Sequence, residues 1–271
     1  MKNSFKFYLA RLLIKLHLSN FFIINQKHYN LRFYPSILSR ELWINPQYLE
    51  IHWKYRTGFF WKYLLEGDIV IDIGSHIGTV TLESASKVGN SGKIYSIEAH
   101  PKIFNFLNGN ISLNKFQNIQ TFNLALGETS KNVMISDLHT DPSNVIISTE
   151  TGIKVQMKKL DDLPIPESKI ALLKIYVEGY EKFVFLGAKN FLSKVDCVHF
   201  SCNIQKFEEN NYNYNEIFSI LSSHEFKLYR FHDEESIVPV TSEYSPTKEE
   251  ILAIRDIDDF IKRTNFQILE N

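Results

Sequence analysis

The chain spaces the carboxylates of Asp72 and Glu98 and the glycines Gly74 and Gly78 in a way suited to holding a nucleoside. Asp72-Ile-Gly-Ser-His-Ile-Gly78 closes the apolar, β-branched run Ile69 to Ile73, the pattern of a strand buried on both faces. From Ile77 to Val88 the spacing turns helical, with Val80, Leu82, Ala85 and Val88 on one side. In such a strand, turn and helix, Gly74 and Gly78 let the backbone bend and let a ligand approach with no Cβ between. Amides that open the helix favour an acceptor or a negative group. A purely structural turn is the alternative, and a glycine turn alone does not separate the two. The next strand, Lys93 to Ile97, ends in Glu98, roughly twenty residues past the turn, where folds of this kind grip two ribose hydroxyls. Neither G-x-G-x-x-G nor a Gly-Lys-Ser/Thr phosphate loop is present. An adenosine-bearing cofactor without a pyrophosphate fits this pair, and S-adenosylmethionine is the simplest such molecule.

The elements that must position these residues follow from periodicity. Ile119 to Asn123, Ile170 to Tyr176, Val195 to Cys202, Phe226 to Phe231 and Ile251 to Arg255 read as further strands, with helices over Pro101 to about Asn114 and over Tyr214 to Ser223. The expectation is an α/β fold: a doubly wound, mostly parallel, seven-stranded Rossmann-like sheet whose last strand is antiparallel. Lys131 to Leu160 departs from that rhythm as a strand pair, around Val133 to Ser136 and Ile153 to Met157, flanking the polar loop His139 to Ser143. An insertion at strand ends is placed to form one wall of a site. Asp256 to Arg263 reads as a surface helix or tail. At 271 residues the chain divides into an extension, 1–60, and one large domain, 61–265.

The formal net charge of -1 argues against nucleic acid as a partner. Cys197 and Cys202 are too few for a disulfide framework and badly spaced for zinc, so buried thiols in a reducing, cytoplasmic setting are expected and no metal site is indicated. No apolar run is long enough to span a membrane. Over Met1 to Asn25, Lys2, Lys6, Arg11 and Lys15 alternate with apolar residues as in a basic amphipathic helix. That helix reads either as a peripheral contact with an anionic membrane at its inner face, or as a face docked on the domain or a second subunit. Arg11 and Lys15 interrupt the apolar core that a cleaved signal peptide needs. Leu49 to Leu65 reads as a helix or a helix plus turn, and Trp43, Trp53, Tyr55, Phe59, Phe60 and Trp61 read as core, with a lid or a sugar-stacking surface as the alternative.

In order, Asp72-Ile-Gly-Ser-His-Ile-Gly78, Ile97-Glu-Ala-His-Pro101, Asn123-Leu-Ala-Leu126, Leu160-Asp-Asp-Leu163, Leu173-Lys-Ile-Tyr-Val-Glu-Gly179 and Ile251-Leu-Ala-Ile-Arg255 resemble the motifs of the FkbM-type methyltransferases. These are class I, S-adenosylmethionine-dependent O-methyltransferases, and the resemblance covers about Gly67 to Arg263. It implies methyl transfer to a hydroxyl, with a sugar, glycan or other small molecule as acceptor. By position it implies cofactor contacts at Asp72, Gly74, Ser75, His76, Gly78, Glu98, Ala99, Asn123, Leu124 and Ala125, with Lys174, Tyr176 and Glu178 at the reacting end. Asp72 has a second reading, as a carboxylate capping the turn's amides. The family's K-I-D-V-E-G has Asp where this chain has Tyr176. Its further acid after the fifth strand is replaced by Val198-His-Phe-Ser-Cys-Asn203, where His199 or Ser201 could compensate, and its Asn in the glycine turn is replaced by His76. These departures leave a cofactor-binding relative with a binding or assembly role as one alternative. A nicotinamide-dependent oxidoreductase, favoured only by Glu98, is another.

Overall fold

The computed structural model describes residues 8, 9, 12, 23–26, 31–33, 58–137, 144–149, 151–241 and 243–270. An antiparallel hairpin, β1 (Ile24–Gln26) and β2 (Leu31–Phe33), comes first. A short helix, α1 (Gly58–Tyr63), leads into β3 (Ile69–Ile73), α2 (Thr79–Val88), β4 (Lys93–Ile97), α3 (Pro101–Asn114) and β5 (Ile119–Phe122). The insertion contributes β6 (Ala125–Leu126), β7 (Lys131–Ile135), β8 (Ile146–Ile147) and β9 (Ile153–Lys158). Then come β10 (Ile170–Ile175), α4 (Glu181–Leu186), β11 (Val195–Asn203), α5 (Ile204–Glu209) and α6 (Tyr214–Ser223). The last elements are β12 (Lys227–Phe231), β13 (Ser236–Pro239), β14 (Lys248–Ile254), α7 (Ile257–Thr264) and β15 (Gln267–Ile268).

The main sheet runs β15-β13-β12-β14-β11-β10-β3-β4-β5. From β5 to β11 every neighbouring pair is parallel, and β14 lies antiparallel to both β11 and β12. The expected seven strands are all present, and among the described residues the sheet has nine. β13 and β15 add an edge beyond β12. They are four and two residues long, too short to show a period in the sequence. The insertion forms a separate sheet in the order β6-β9-β7-β8, in which the expected strand pair β7 and β9 runs antiparallel.

All six residues of β10 are buried, so this strand sits at the centre of the core. On one face of the sheet Ile71, Ile73, Leu173, Ile175, Phe200 and Ile251 pack with α4 and α6; on the other Val70, Leu172, Cys197 and Leu252 pack with Phe59, Phe60 and Phe260. Phe59 and Phe60 are therefore core, whereas Trp61 is 39% exposed. Both cysteines are free and buried, and burial pushes the Cys202 thiol up to about 12. The segment read as a surface helix or tail is α7, capped by the Asp256 side chain; Phe260 enters the core and Arg263 reaches Asp68 at 2.7 Å.

Of the first 60 residues, the hairpin docks on α3: Leu31 is buried beside Ile77, Leu82 and Ile103, and Asn114 bonds both the amide and the carbonyl of Arg32. The amphipathic pattern over Met1 to Asn25 lies almost wholly outside the described residues, as do Trp43, Trp53, Tyr55 and the start of the helix expected from Leu49. Tyr8, Leu9 and Leu12 are helical and exposed. Among the described residues no helix is long and apolar enough to cross a membrane.

Candidate active site

The turn after β3 is built from behind. Asp72 and Lys174 are register partners on β3 and β10, and both project to the face that α2 covers. Asp72 is fully buried, accepts from the Thr81 hydroxyl at 2.6 Å, and lies 2.8 Å from the Lys174 ammonium. That ammonium also donates to the carbonyls of Ile73 and Gly74, at 3.2 and 2.8 Å. The hydroxyls of Thr81, Ser96 and Ser75 form a chain beneath the turn, and Ser75 donates to the Asp72 carbonyl. Gly74 stands at φ +72°, and a Cβ there would fall 1.8 Å from the Tyr176 carbonyl oxygen. Gly78, at φ +91°, lets Leu107 of α3 approach, since a Cβ would meet its Cδ1 at 2.7 Å. Both glycines thus serve close packing of the protein on itself.

In front of the turn lies a cleft of about 200 Å³ between the carboxyl ends of β3, β4 and β10 and the small sheet. Gly74, His76, Glu98, Ala99, Leu124, Ala125, Tyr176 and Glu178 line it, together with Ile73, Ile97, His100, Ile103, Leu126, Val177 and Tyr180. Ile135 and Asn144 to Ile146 supply the wall expected from the insertion; His139 to Ser143 lie outside the described residues.

Glu98 is the polar centre of this cleft. Its carboxylate accepts from the amides of His76 and His100, each at 2.9 Å, and it is 8% exposed. Burial raises its pKa, against the lowering pull of the two amides and Lys174. A carboxylate has about four acceptor sites. Two are taken by amides, and the remainder suit the paired hydroxyls of a ribose, so the donor set fits an adenosyl group. Glu98→Ala is therefore expected to weaken S-adenosylmethionine binding by about 1–3 kcal/mol, on the scale of a lost charge-assisted contact. Titration calorimetry reads this directly, and an unchanged Kd removes the ribose role.

Asn123 holds the Glu98 loop from outside, donating to the carbonyls of Glu98 and Ala99 at 2.9 and 3.1 Å. His76 and Glu178 both sit in the left-handed region, at φ +53° and +52°, on the cleft's rim. Burial, then the nearby Lys174 ammonium, push the His76 imidazole down to about 4. Asp72, Ser75, Gly78, Asn123 and Lys174 do not line the cleft, because their side chains or close packing are committed to the scaffold. The apolar lining from Ile73, Ile97, Ile103, Leu126 and Ile135 carries no chemical signature in the sequence, and its only trace is its place at strand ends.

The segment after β10 is braced by Glu181, whose carboxylate accepts from the amides of Val177 and Gly179 at 3.1 and 2.9 Å. Burial raises its pKa to about 7 despite these bonds. A carboxyl raised in the fold binds its proton more tightly there than in the unfolded chain. Its contribution to stability is complete below about 4.5 and is lost as pH rises through about 7. The difference is on the order of 3 kcal/mol. The stability of the wild type minus that of Glu181→Gln, from urea unfolding at pH 4.5 to 8, should fall across this window. A flat difference contradicts the assignment.

Two scaffold motifs have equally local roles. Asp161, in the turn Leu160–Asp162, accepts from the amides of Asn190 and Phe191, and the Arg255 guanidinium donates to the carbonyls of Leu192, Val195 and His224.

Parallel β5-β4-β3-β10-β11 extended by the antiparallel pair β14 and β12, with an acid after the second strand of the nucleotide half, give the Rossmann-like fold of class I methyltransferases. Residues 72–228 match the model of the methyltransferase FkbM domain, more than half of the chain, and the protein belongs to that family. That family is one of methyltransferases, which sets the nicotinamide alternative aside. A curated relative, the "probable cobalt-precorrin-6B C(15)-methyltransferase (decarboxylating)" of Saccharolobus solfataricus, is 38% identical over 63 residues, 23% of this chain. The matched part spans 31% of that relative's length. Among solved structures, a precorrin-6y C5,15-methyltransferase from Geobacter metallireducens is similar at 14% identity and a TM-score of 0.42, covering 73% of this chain and 87% of that one. An S-adenosylmethionine-dependent O-methyltransferase from Thermotoga maritima is similar at 13% identity and a TM-score of 0.44, covering 83% and 72%.

Proposed function

We propose that the chain methylates a hydroxyl of a sugar, glycan or related small metabolite presented at the Tyr176 to Glu178 end of the cleft. The observation that carries this reading is Glu178. It is exposed, held at φ +52° on the rim, and placed next to Tyr176 at the end of β10. When bound, S-adenosylmethionine supplies an electrophilic methyl group on a sulfonium. Attack by a neutral hydroxyl leaves a proton that must be removed, and an exposed carboxylate at the rim can take it. The rest of the work is positioning: Glu98 holds the sugar end of the cofactor, and Gly74 and Val177 set the walls of the methionine end. The near-neutral charge of the chain favours a small or glycan acceptor over nucleic acid.

The test is transfer of methyl-labelled cofactor into fractionated glycans, small metabolites and RNA. Label in base-stable ethers of the glycan or metabolite fraction is expected, and Glu178→Gln should slow it roughly a hundredfold while leaving the cofactor Kd within about twofold. Label entering RNA or a carbon acceptor, or cofactor binding with no transfer to any fraction, overturns the reading.

A further inference from the structure

Tyr176 stands where the family's motif has an aspartate, and the sheet brings a replacement carboxylate to the same place from a distant strand. Lys174 and His199 are register partners on β10 and β11, and Ser201 pairs with Glu250 on β14. Period-two alternation puts Tyr176, His199 and Glu250 on one face at the carboxyl end of the parallel strands. The His199 Nε2 atom lies 3.0 Å from Glu250 Oε2 and 3.3 Å from the Tyr176 hydroxyl. His199 is fully buried, and the Glu250 side chain is 9% exposed. The histidine packs edge-on against Phe59, Phe60 and Phe231. With its hydrogen on Nε2, His199 donates to the Glu250 carboxylate, and the Tyr176 hydroxyl stands beside the same nitrogen. Tyr176 in turn lines the cofactor cleft, and the Lys174 ammonium lies 4.7 Å from its ring centroid.

We propose that His199 and Glu250 are positioning residues for Tyr176, and that the Glu250 carboxylate supplies, through the imidazole, the negative charge that an aspartate in place of Tyr176 would supply directly. The consequence is a preference for the charged donor over the neutral product. S-adenosylmethionine carries a sulfonium and S-adenosylhomocysteine does not, while both carry the same adenosine and amino-acid groups. A negative group at the reacting end therefore distinguishes them, and Glu98 at the ribose does not. This inference rests on the cofactor alone and is independent of whether the acceptor is a hydroxyl.

The experiment measures dissociation constants of both molecules by titration calorimetry for the full chain and for Glu250→Gln, Tyr176→Asp and the double variant. Glu250→Gln is expected to weaken S-adenosylmethionine about three- to tenfold and S-adenosylhomocysteine less than twofold. With Tyr176→Asp in place the charge is local again, and Glu250→Gln should then have no effect on the ratio. Equal weakening of both molecules, an unchanged ratio, or a loss that persists beside Tyr176→Asp overturns the proposal. Failure of the O-methylation reading shows instead as label in the wrong acceptor, with these constants unaffected.

Discussion

Lys174→Met lowers the unfolding free energy by about 3–5 kcal/mol on this account, because it strands the Asp72 carboxylate in the core. Asp72 has no exposed surface, and the lysine ammonium 2.8 Å away is its charged partner. The Thr81 hydroxyl remains after the substitution, but one neutral hydrogen bond does not offset an unpaired buried charge. The same ammonium ties down the Gly74 carbonyl, so the turn loosens as well. Urea unfolding monitored by tryptophan fluorescence checks the loss. Adding Asp72→Asn to Lys174→Met removes the uncompensated charge and should recover a large part of it. Equal instability of the single and double variants would show that lysine packing, not the ion pair, sets the cost.

The second large effect is at Gly74. Its left-handed φ of +72° disfavours any residue with a Cβ, and the added atom would lie 1.8 Å from the carbonyl oxygen of Tyr176. That oxygen belongs to backbone fixed by the bond from the Tyr176 amide to the Ile73 carbonyl at 3.0 Å, so it cannot swing aside as a side chain would. Backbone strain of about 1–2 kcal/mol and overpacking of about 1–3 kcal/mol together put Gly74→Ala near 2–5 kcal/mol. The spacing between β3 and the segment after β10 should widen, and cofactor affinity should fall with stability. Gly67→Ala is the control: it also stands at positive φ, but its Cβ would meet only the Ser91 hydroxyl, at 3.8 Å. A Gly74→Ala variant no less stable than Gly67→Ala would refute the steric argument.

These two sites show where the sequence was readable and where it was not. The fold was legible because β3, β4 and β10 are short, largely apolar runs, because α3 begins at a proline and because α6 keeps helical apolar spacing; the structure gives α3 as Pro101–Asn114 and α6 as Tyr214–Ser223. The added edge strands were not legible, since two to four residues cannot display alternation. At the site, Gly74, His76, Glu98, Ala99, Leu124, Ala125, Tyr176 and Glu178 come together around one cleft. Asp72 and Lys174 carry the right chemistry for a site, yet they sit behind the turn, where they neutralise each other under α2. Strand alternation alone would have separated Asp72 from Ile73, and Lys174 from Ile175. Glu250 was invisible for a different reason. It lies 51 residues from His199, and only the antiparallel placement of β14 beside β11 brings the two side chains to 3.0 Å.

The central claim is that the cleft facing Glu98 holds the adenosyl group of the methyl donor. Crystals of the full chain grown with S-adenosylhomocysteine test it most directly. The account predicts density with both ribose hydroxyls on the Glu98 carboxylate, the base beside Leu124 and Ala125, and the sulfur toward Tyr176. Density for the nucleoside elsewhere on the molecule, or a cleft that stays closed by its own apolar lining at saturating ligand, contradicts it.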